Sequence, residues 1–257
     1  MYPIVTIAGR EVYTMWLVSV AGLLAALCFV LARRRRFGVA QVDVTNAGAL
    51  GMAGAVVGGK ALYLVTAAPI LWRARAALLA QPQLLWPVLV SGTVFYGGLF
   101  GFLLAAQGYC RRSRLDTRAF WDLYAPAIPL FHAFGRVGCF LNGCCHGIVS
   151  ERFGVAFPHA AGSASGVPYL PVQLFEAAGN AVLFLALAHF SARCAGQGRA
   201  LRAYLAAYAV MRFALEFLRG DAVRGVWWGL STSQWISLGV LAVLCARRVR
   251  CARRRSG

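Results

Sequence analysis

The chain has 257 residues, 60% of them hydrophobic, with a mean hydropathy of +0.65; a soluble domain carries only ~45–50% apolar residues, so a soluble class is excluded. The formal net charge is +18, and 25 of the 26 basic residues are arginine. These charges fall between apolar runs, where membrane orientation and anionic head groups account for them better than nucleic acid does.

Taken in order, the first apolar run follows Glu11, extends from Tyr13 to Ala32 and closes on Arg33–Arg36. That reads as a first span with its N-terminus outside, not as a cleaved leader. The hydropathy pattern predicts seven helices with cores over 12–22, 47–67, 88–107, 120–140, 172–190, 200–218 and 229–246. Lys60 interrupts the second, and Gly92, Gly97, Gly98 and Gly101 punctuate the third. The fourth carries Asp122, Pro126 and Pro129 and leads into GRVGCFLNGCCHG, Gly135 to Gly147. That stretch is glycine-rich enough to predict a helix break at Arg136, inside an apolar setting. Gly147 to Pro171 reads as a small extracytoplasmic cap, and the arginines of 246–257 as a basic cytoplasmic tail.

Alternate loops sort the arginines. Seventeen fall on one side, six on the other, and Lys60, Arg136 and Arg212 stay inside spans. The expectation is an all-α, polytopic helix bundle of about seven spans, one transmembrane domain over 1–257, with the C-terminus cytoplasmic.

Eight cysteines stand at 28, 110, 139, 144, 145, 194, 245 and 251. Most lie in or beside apolar spans, so a disulfide framework is not expected. Cys139, Cys144, Cys145 and His146 are ligand-type residues, but they lack the two separated pairs of a structural zinc site. Adjacent Cys144 and Cys145 would point apart on any regular backbone. They are read as packed thiols at a helix break, and neither a metal nor a cofactor is expected.

The ionisable residues hardest to explain by packing are Lys60, Asp122, Arg136, Glu176, Arg212 and Glu216. Tyr208, Arg212 and Glu216 are spaced by four, with Arg219 beyond, so they form a polar ridge on an apolar helix. One reading is an internal ion pair that neutralises itself; the other is an anion site where Arg136 and Arg212 outweigh Glu216, phosphate being the natural partner of paired guanidiniums. Gln173 and Glu176 share a face at the start of the fifth helix, where an acid also suits the helix dipole.

With these residues in hand, the chain resembles the prolipoprotein diacylglyceryl transferase family over nearly its full length. GRVGCFLNG is similar to the family's GRxGNFxNGE signature, SGTVFYGGLFG to FHGGLxG, and DLYAPAIPLFHAFGR to its DxxAPxxP approach. VPYLPVQLFEA is similar to HPxQLYE, YAVMRFALEFLR to YGxxRFxxEFxR, and GLSTSQWISL to GLSMGQxxSL. The resemblance implies a bacterial plasma-membrane enzyme of lipoprotein biosynthesis. Its implied partners are phosphatidylglycerol and the signal peptide of a prolipoprotein, whose lipobox cysteine receives diacylglycerol as glycerol phosphate leaves. It further implies that Arg136 and Arg212 handle the lipid phosphate, that Tyr208 and Glu216 are a polar pair of the site, that Asn142 and Gly147 belong to the signature, and that Lys60 stands where the family commonly has arginine. Gln173 and Glu176 fall in a family motif and are candidate substrate contacts.

Three departures bear on chemistry. The family histidine is Tyr96 here, the first signature asparagine is Cys139, and the signature glutamate is Cys144. A tyrosine, with a reference pKa of about 10, is a poor base at neutral pH. Alongside the transferase reading, with Tyr96, Arg136, Tyr208 and Arg212 as its candidate catalytic residues, stands a phospholipid-binding membrane paralogue that is non-enzymatic or has altered chemistry. In the altered version a cysteine thiolate beside Arg136 acts instead.

Overall fold

The computed structural model describes residues 4–7, 9–81, 83, 86, 92–157, 166–220 and 226–256. Positions 88–91 of the expected third helix, 158–165 of the expected cap and Arg224 lie outside the described residues. The chain is predominantly helical. Three antiparallel ribbons, Ile4–Ile7 with Arg10–Tyr13, Val155–Ala156 with Pro168–Tyr169, and Val226–Trp227 with Leu230–Ser231, complete the described structure.

Among the described residues the α-helices are α1 (Thr14–Arg33), α2 (Gln41–Arg73), α3 (Arg75–Ala80), α4 (Phe95–Arg112), α5 (Thr117–Tyr124), α6 (Ala127–Asn142), α7 (Val172–Arg193), α8 (Ala200–Glu216) and α9 (Thr232–Ser256). Thr14–Phe37, Gln41–Arg73 and Val172–Arg193 are long and apolar enough to cross a membrane. Described helices overlap each expected core, the fourth core being covered by two of them, α5 and α6. The second spans 33 residues, ~50 Å at 1.5 Å per residue. The third begins at Phe95, because Gly92 to Val94 are not helical. The seventh runs on through its arginines to Ser256, as good helix formers allow.

The fourth helix corrects the sequence reading most. It is interrupted at Ala125 and Pro126, not at Arg136, since α6 continues through Gly135, Arg136 and Gly138 to Asn142. Glycine there serves packing: a Cβ on Gly138 would meet Met15 Sδ at 2.8 Å, and one on Gly22 of α1 would meet Phe134 Cβ at 2.6 Å. Small residues thus let α1 and α6 lie close. The helix ends at Gly143, whose φ of 71° makes the left-handed cap.

Two compact units make up the chain. One comprises Met1–Gly38 with Arg118–Gly257, and the other Val39–Thr117. In the first, Arg33 and Arg36 donate to Ala188 O (2.9 Å) and Ala192 O (2.8 Å), satisfying carbonyls of the last turns of α7. Asp122, counted among the unexplained charges, accepts from Gly198 N and Ala200 N, both at 2.8 Å. It is a side-chain cap on the start of α8, and its burial is fully accounted for.

In the second unit, α2 and α4 pack through glycines. A Cβ on Gly58 would run into Gly97 O, and one on Gly101 into Gly54 O. The pairs Gly54/Gly58 and Gly97/Gly101 are each four residues apart, so both helices present a small-residue groove to the other.

Candidate anion site

Three polar stripes meet inside the first unit. His132 and Arg136 lie one turn apart on α6, Glu176 and Asn180 one turn apart on α7, and Tyr208, Arg212 and Glu216 run along α8. Each stripe repeats every four residues, so each occupies one face of a helix that is otherwise apolar. All seven are shielded from solvent, with Glu176 and Asn180 at 0% exposure.

Glu176 is the centre. Its Oε2 lies 3.1 Å from Arg136 Nε and 3.9 Å from Arg219 Nη1. Its Oε1 accepts from Tyr208 OH at 3.3 Å and lies 3.5 Å from His132 Nε2. Arg136 Nε also donates to His132 Nε2 at 3.2 Å, which makes that ring nitrogen an acceptor. On α8 itself Arg212 pairs with Glu216 and donates to Ser233 Oγ at 3.5 Å.

The sequence assigned Arg136 and Arg212 to one anion site and Glu216 as their neutraliser. The geometry divides that work: Glu216 pairs with Arg212, whereas Glu176 neutralises Arg136. Of the named groups, Arg136, Arg212 and Arg219 carry positive charge against Glu176 and Glu216, leaving one positive charge over. Arg212 Nη1 is buried and makes no hydrogen bond among the described residues. An apolar interior does not tolerate a surplus cation without a partner, and an anionic group of matching shape supplies one.

Other sequence-assigned residues sit elsewhere. Gln173 donates through Nε2 to Cys144 O at 2.7 Å, so it holds the loop after α6. Asn142 is the last residue of α6 and hydrogen-bonds the Cys144 thiol. Gly147 bridges to Arg219, and its N–H donates to Leu170 O at 2.8 Å. A Cβ there would meet Leu218 O and Val172 Cγ2, both at 2.5 Å, so only glycine fits. Tyr96 and Lys60 belong to the second unit. Tyr96 is buried and stacks on Phe100 at 6.0 Å, and Lys60 Nζ donates to Gly92 O at 3.3 Å over the Tyr63 ring.

His132 and Arg219 were not assigned to the site from sequence. The four-residue step from His132 to Arg136 was a usable signal. Arg219 lies beyond the end of α8, and its return towards Glu176 depends on the turn in which Leu218 N and Arg219 N bond to Leu215 O and Glu216 O.

The cysteine loop also departs from expectation. Cys145 has φ of 62°, so Cys144 and Cys145 do not lie on a regular backbone, and their sulfurs converge on Cys139. Hydrogen bonds from the Cys139 and Cys144 thiols hold the Cys145 thiol well below its ordinary pKa, against the opposing effect of burial, with Arg219 and Arg136 adding to the lowering.

The prolipoprotein diacylglyceryl transferase family model matches residues 3–248. The chain belongs to that family. Proteins named phosphatidylglycerol–prolipoprotein diacylglyceryl transferase are similar to it throughout. The one from Clostridium tetani is 31% identical over 236 residues, 91% of each chain. One from Clostridium perfringens, numbered 2 in its name, is 30% identical, covering 91% of this chain and 89% of its own. That of Geobacter sulfurreducens is 34% identical over 244 residues, 90% of each chain. The prolipoprotein diacylglyceryl transferases are a family of transferases, and the arginine cluster described above falls within the matched residues.

Proposed function

We propose that this chain is a phosphatidylglycerol–prolipoprotein diacylglyceryl transferase of a bacterial plasma membrane, with seven spans, the N-terminus outside and the C-terminus in the cytoplasm. In this reading the lipid phosphate offsets the surplus positive charge, held by Arg212 and Arg136, while Glu176 orients Arg136 and Tyr208. Asn142 and Gly147 shape the loop beside it, and Gln173 keeps that loop in place. The lipobox thiol attacks the diacylglyceryl carbon, a C–S bond forms, the C–O bond to phosphate breaks, and glycerol phosphate leaves with the electron pair and takes up the thiol's proton. Guanidinium forks stabilise the charge that grows on the leaving phosphate. The observation that carries the reading is the buried charge imbalance around Glu176.

Tyr96 supports a second reading, a lipid-binding paralogue without transfer chemistry, because a phenol does not serve as the base that the family resemblance implies. One assay separates them. The chain is expressed in a strain depleted of its own transferase, and lipidation of a reporter prolipoprotein is followed together with phosphatidylglycerol binding by the purified protein. Lipidation, abolished by Arg212→Ala, is the expected result. Binding without lipidation establishes the paralogue reading, and absence of both overturns the anion site.

A further inference from the structure

The loop that follows α6 gathers three sulfurs. Cys139 lies in the last turn of α6, and Cys144 and Cys145 follow the Gly143 cap. Their Sγ atoms all lie within 4.8 Å of one another, and none is in a disulfide. Two left-handed residues produce this convergence, Gly143 at φ 71° and Cys145 at φ 62°. A non-glycine residue holds that conformation only where its surroundings enforce it. Here Cys144 N donates to Cys139 O at 3.1 Å, and the buried Gln173 donates to Cys144 O at 2.7 Å. The loop is clamped from its own helix and from α7.

We infer that Cys139, Cys144 and Cys145 form a three-thiolate site for one soft divalent cation, Zn2+. Zinc binds thiolate at ~2.3 Å, which sets tetrahedral ligand sulfurs about 3.8 Å apart. Sulfurs already within 4.8 Å of one another need approach by only about 1 Å to reach that spacing. A cation would take the place of the thiol protons on binding. His146 turns aside: its Nδ1 lies 3.2 Å from Gly147 O, and its ring packs on Tyr169 at 4.0 Å. Three protein ligands therefore leave one coordination position for an exogenous donor, as in zinc sites that bind a further ligand. The site is independent of whether the chain transfers diacylglycerol.

The test uses full-length protein in detergent, reduced and stripped with chelator, then titrated with Zn2+, and in parallel with Cd2+ followed by thiolate-to-metal charge-transfer absorbance. One equivalent per chain is expected, with Cys144→Ser and Cys139→Ser each weakening binding at least a hundredfold and Cys194→Ser leaving it unchanged. Because a serine variant can misfold, cysteine-by-cysteine alkylation of the wild-type chain is read by mass spectrometry with and without Zn2+. Protection of Cys139, Cys144 and Cys145 together, with Cys28 unaffected, supports the site. Binding well below one equivalent, no selective protection, or equal binding by a folded Cys144→Ser/Cys145→Ser chain overturns it.

Discussion

Arg136 and Glu176 are joined across two helices: Arg136 Nε stands 3.1 Å from Glu176 Oε2, and both side chains are buried. Breaking a buried pair from one side leaves the other charge uncompensated, which costs about 3–5 kcal/mol. Glu176→Ala is therefore expected to destabilise the detergent-solubilised protein by that amount, since Arg136 and Arg219 lose their common partner. The double change Arg136→Met/Glu176→Met should recover most of the loss in the same unfolding assay. If the single and double variants unfold alike, the pair does not hold α6 to α7.

Phosphatidylglycerol affinity tests the charge surplus itself. Arg136→Lys keeps the charge but loses the guanidinium fork, and a charge-assisted hydrogen bond of about 1.5 kcal/mol corresponds to roughly tenfold weaker binding. Arg212→Ala should weaken binding further, because the named groups then sum to zero. Adding Glu216→Gln to Arg212→Ala restores the surplus and should recover part of the affinity. Equal affinity in all four proteins, measured in lipid-doped micelles, would mean that the arginines only cement the bundle.

The spacing of Arg212 and Glu216 was legible because both sit on one helix, and a single helix has a known period. Glu176 remained divided between a helix-dipole role and a site role, because its partners come from two other helices and sequence carries no register between them. The expected break at Arg136 failed for a related reason. Glycine signals close approach as readily as it signals a break, and only the neighbour, Met15 against Gly138, decides between them. Cys144 and Cys145 were read on a regular backbone, and the left-handed Cys145 that removes that premise leaves no mark in the residue pattern.

The α2–α4 contact gives a stability prediction free of any assumption about function. Gly58→Ala and Gly101→Ala each place a methyl against a backbone oxygen of the facing helix. Overpacking of this kind costs about 1–3 kcal/mol. Gly108→Ala, in the same helix as Gly101 but with nothing within 4 Å, is the control and should be neutral or stabilising. Thermal unfolding that ranks Gly108→Ala as low as Gly101→Ala would show that the grooves do not pack.

Asp122 separates stability from lipid binding. Its two hydrogen bonds cap the start of α8, and losing a capping side chain costs about 1–2 kcal/mol. Asp122→Ala should lower the unfolding temperature while leaving phosphatidylglycerol affinity within threefold of wild type. A large loss of affinity in a folded Asp122→Ala protein would implicate the carboxylate in the site.

On the transferase reading, Tyr96 stands where the family resemblance implies the base. The residue is buried in the second unit and stacks on Phe100, and the family resemblance implies a histidine at its position. A histidine titrates near neutral pH and takes a proton from an incoming thiol far more readily than a phenol of pKa about 10. General-base catalysis is worth about 10²–10⁴-fold, so Tyr96→His should raise the transfer rate at neutral pH by at least the lower figure. Tyr96→Phe removes only the hydroxyl and should change the rate less than about threefold, since a phenol contributes little as a base at that pH. The gain should follow the ionisation of the new imidazole, rising with pH through its pKa as the neutral form accumulates. Reporter lipidation measured across that pH range checks both halves of the claim. A Tyr96→Phe protein that is folded, binds phosphatidylglycerol and has lost transfer would show instead that the phenol itself takes part in the reaction.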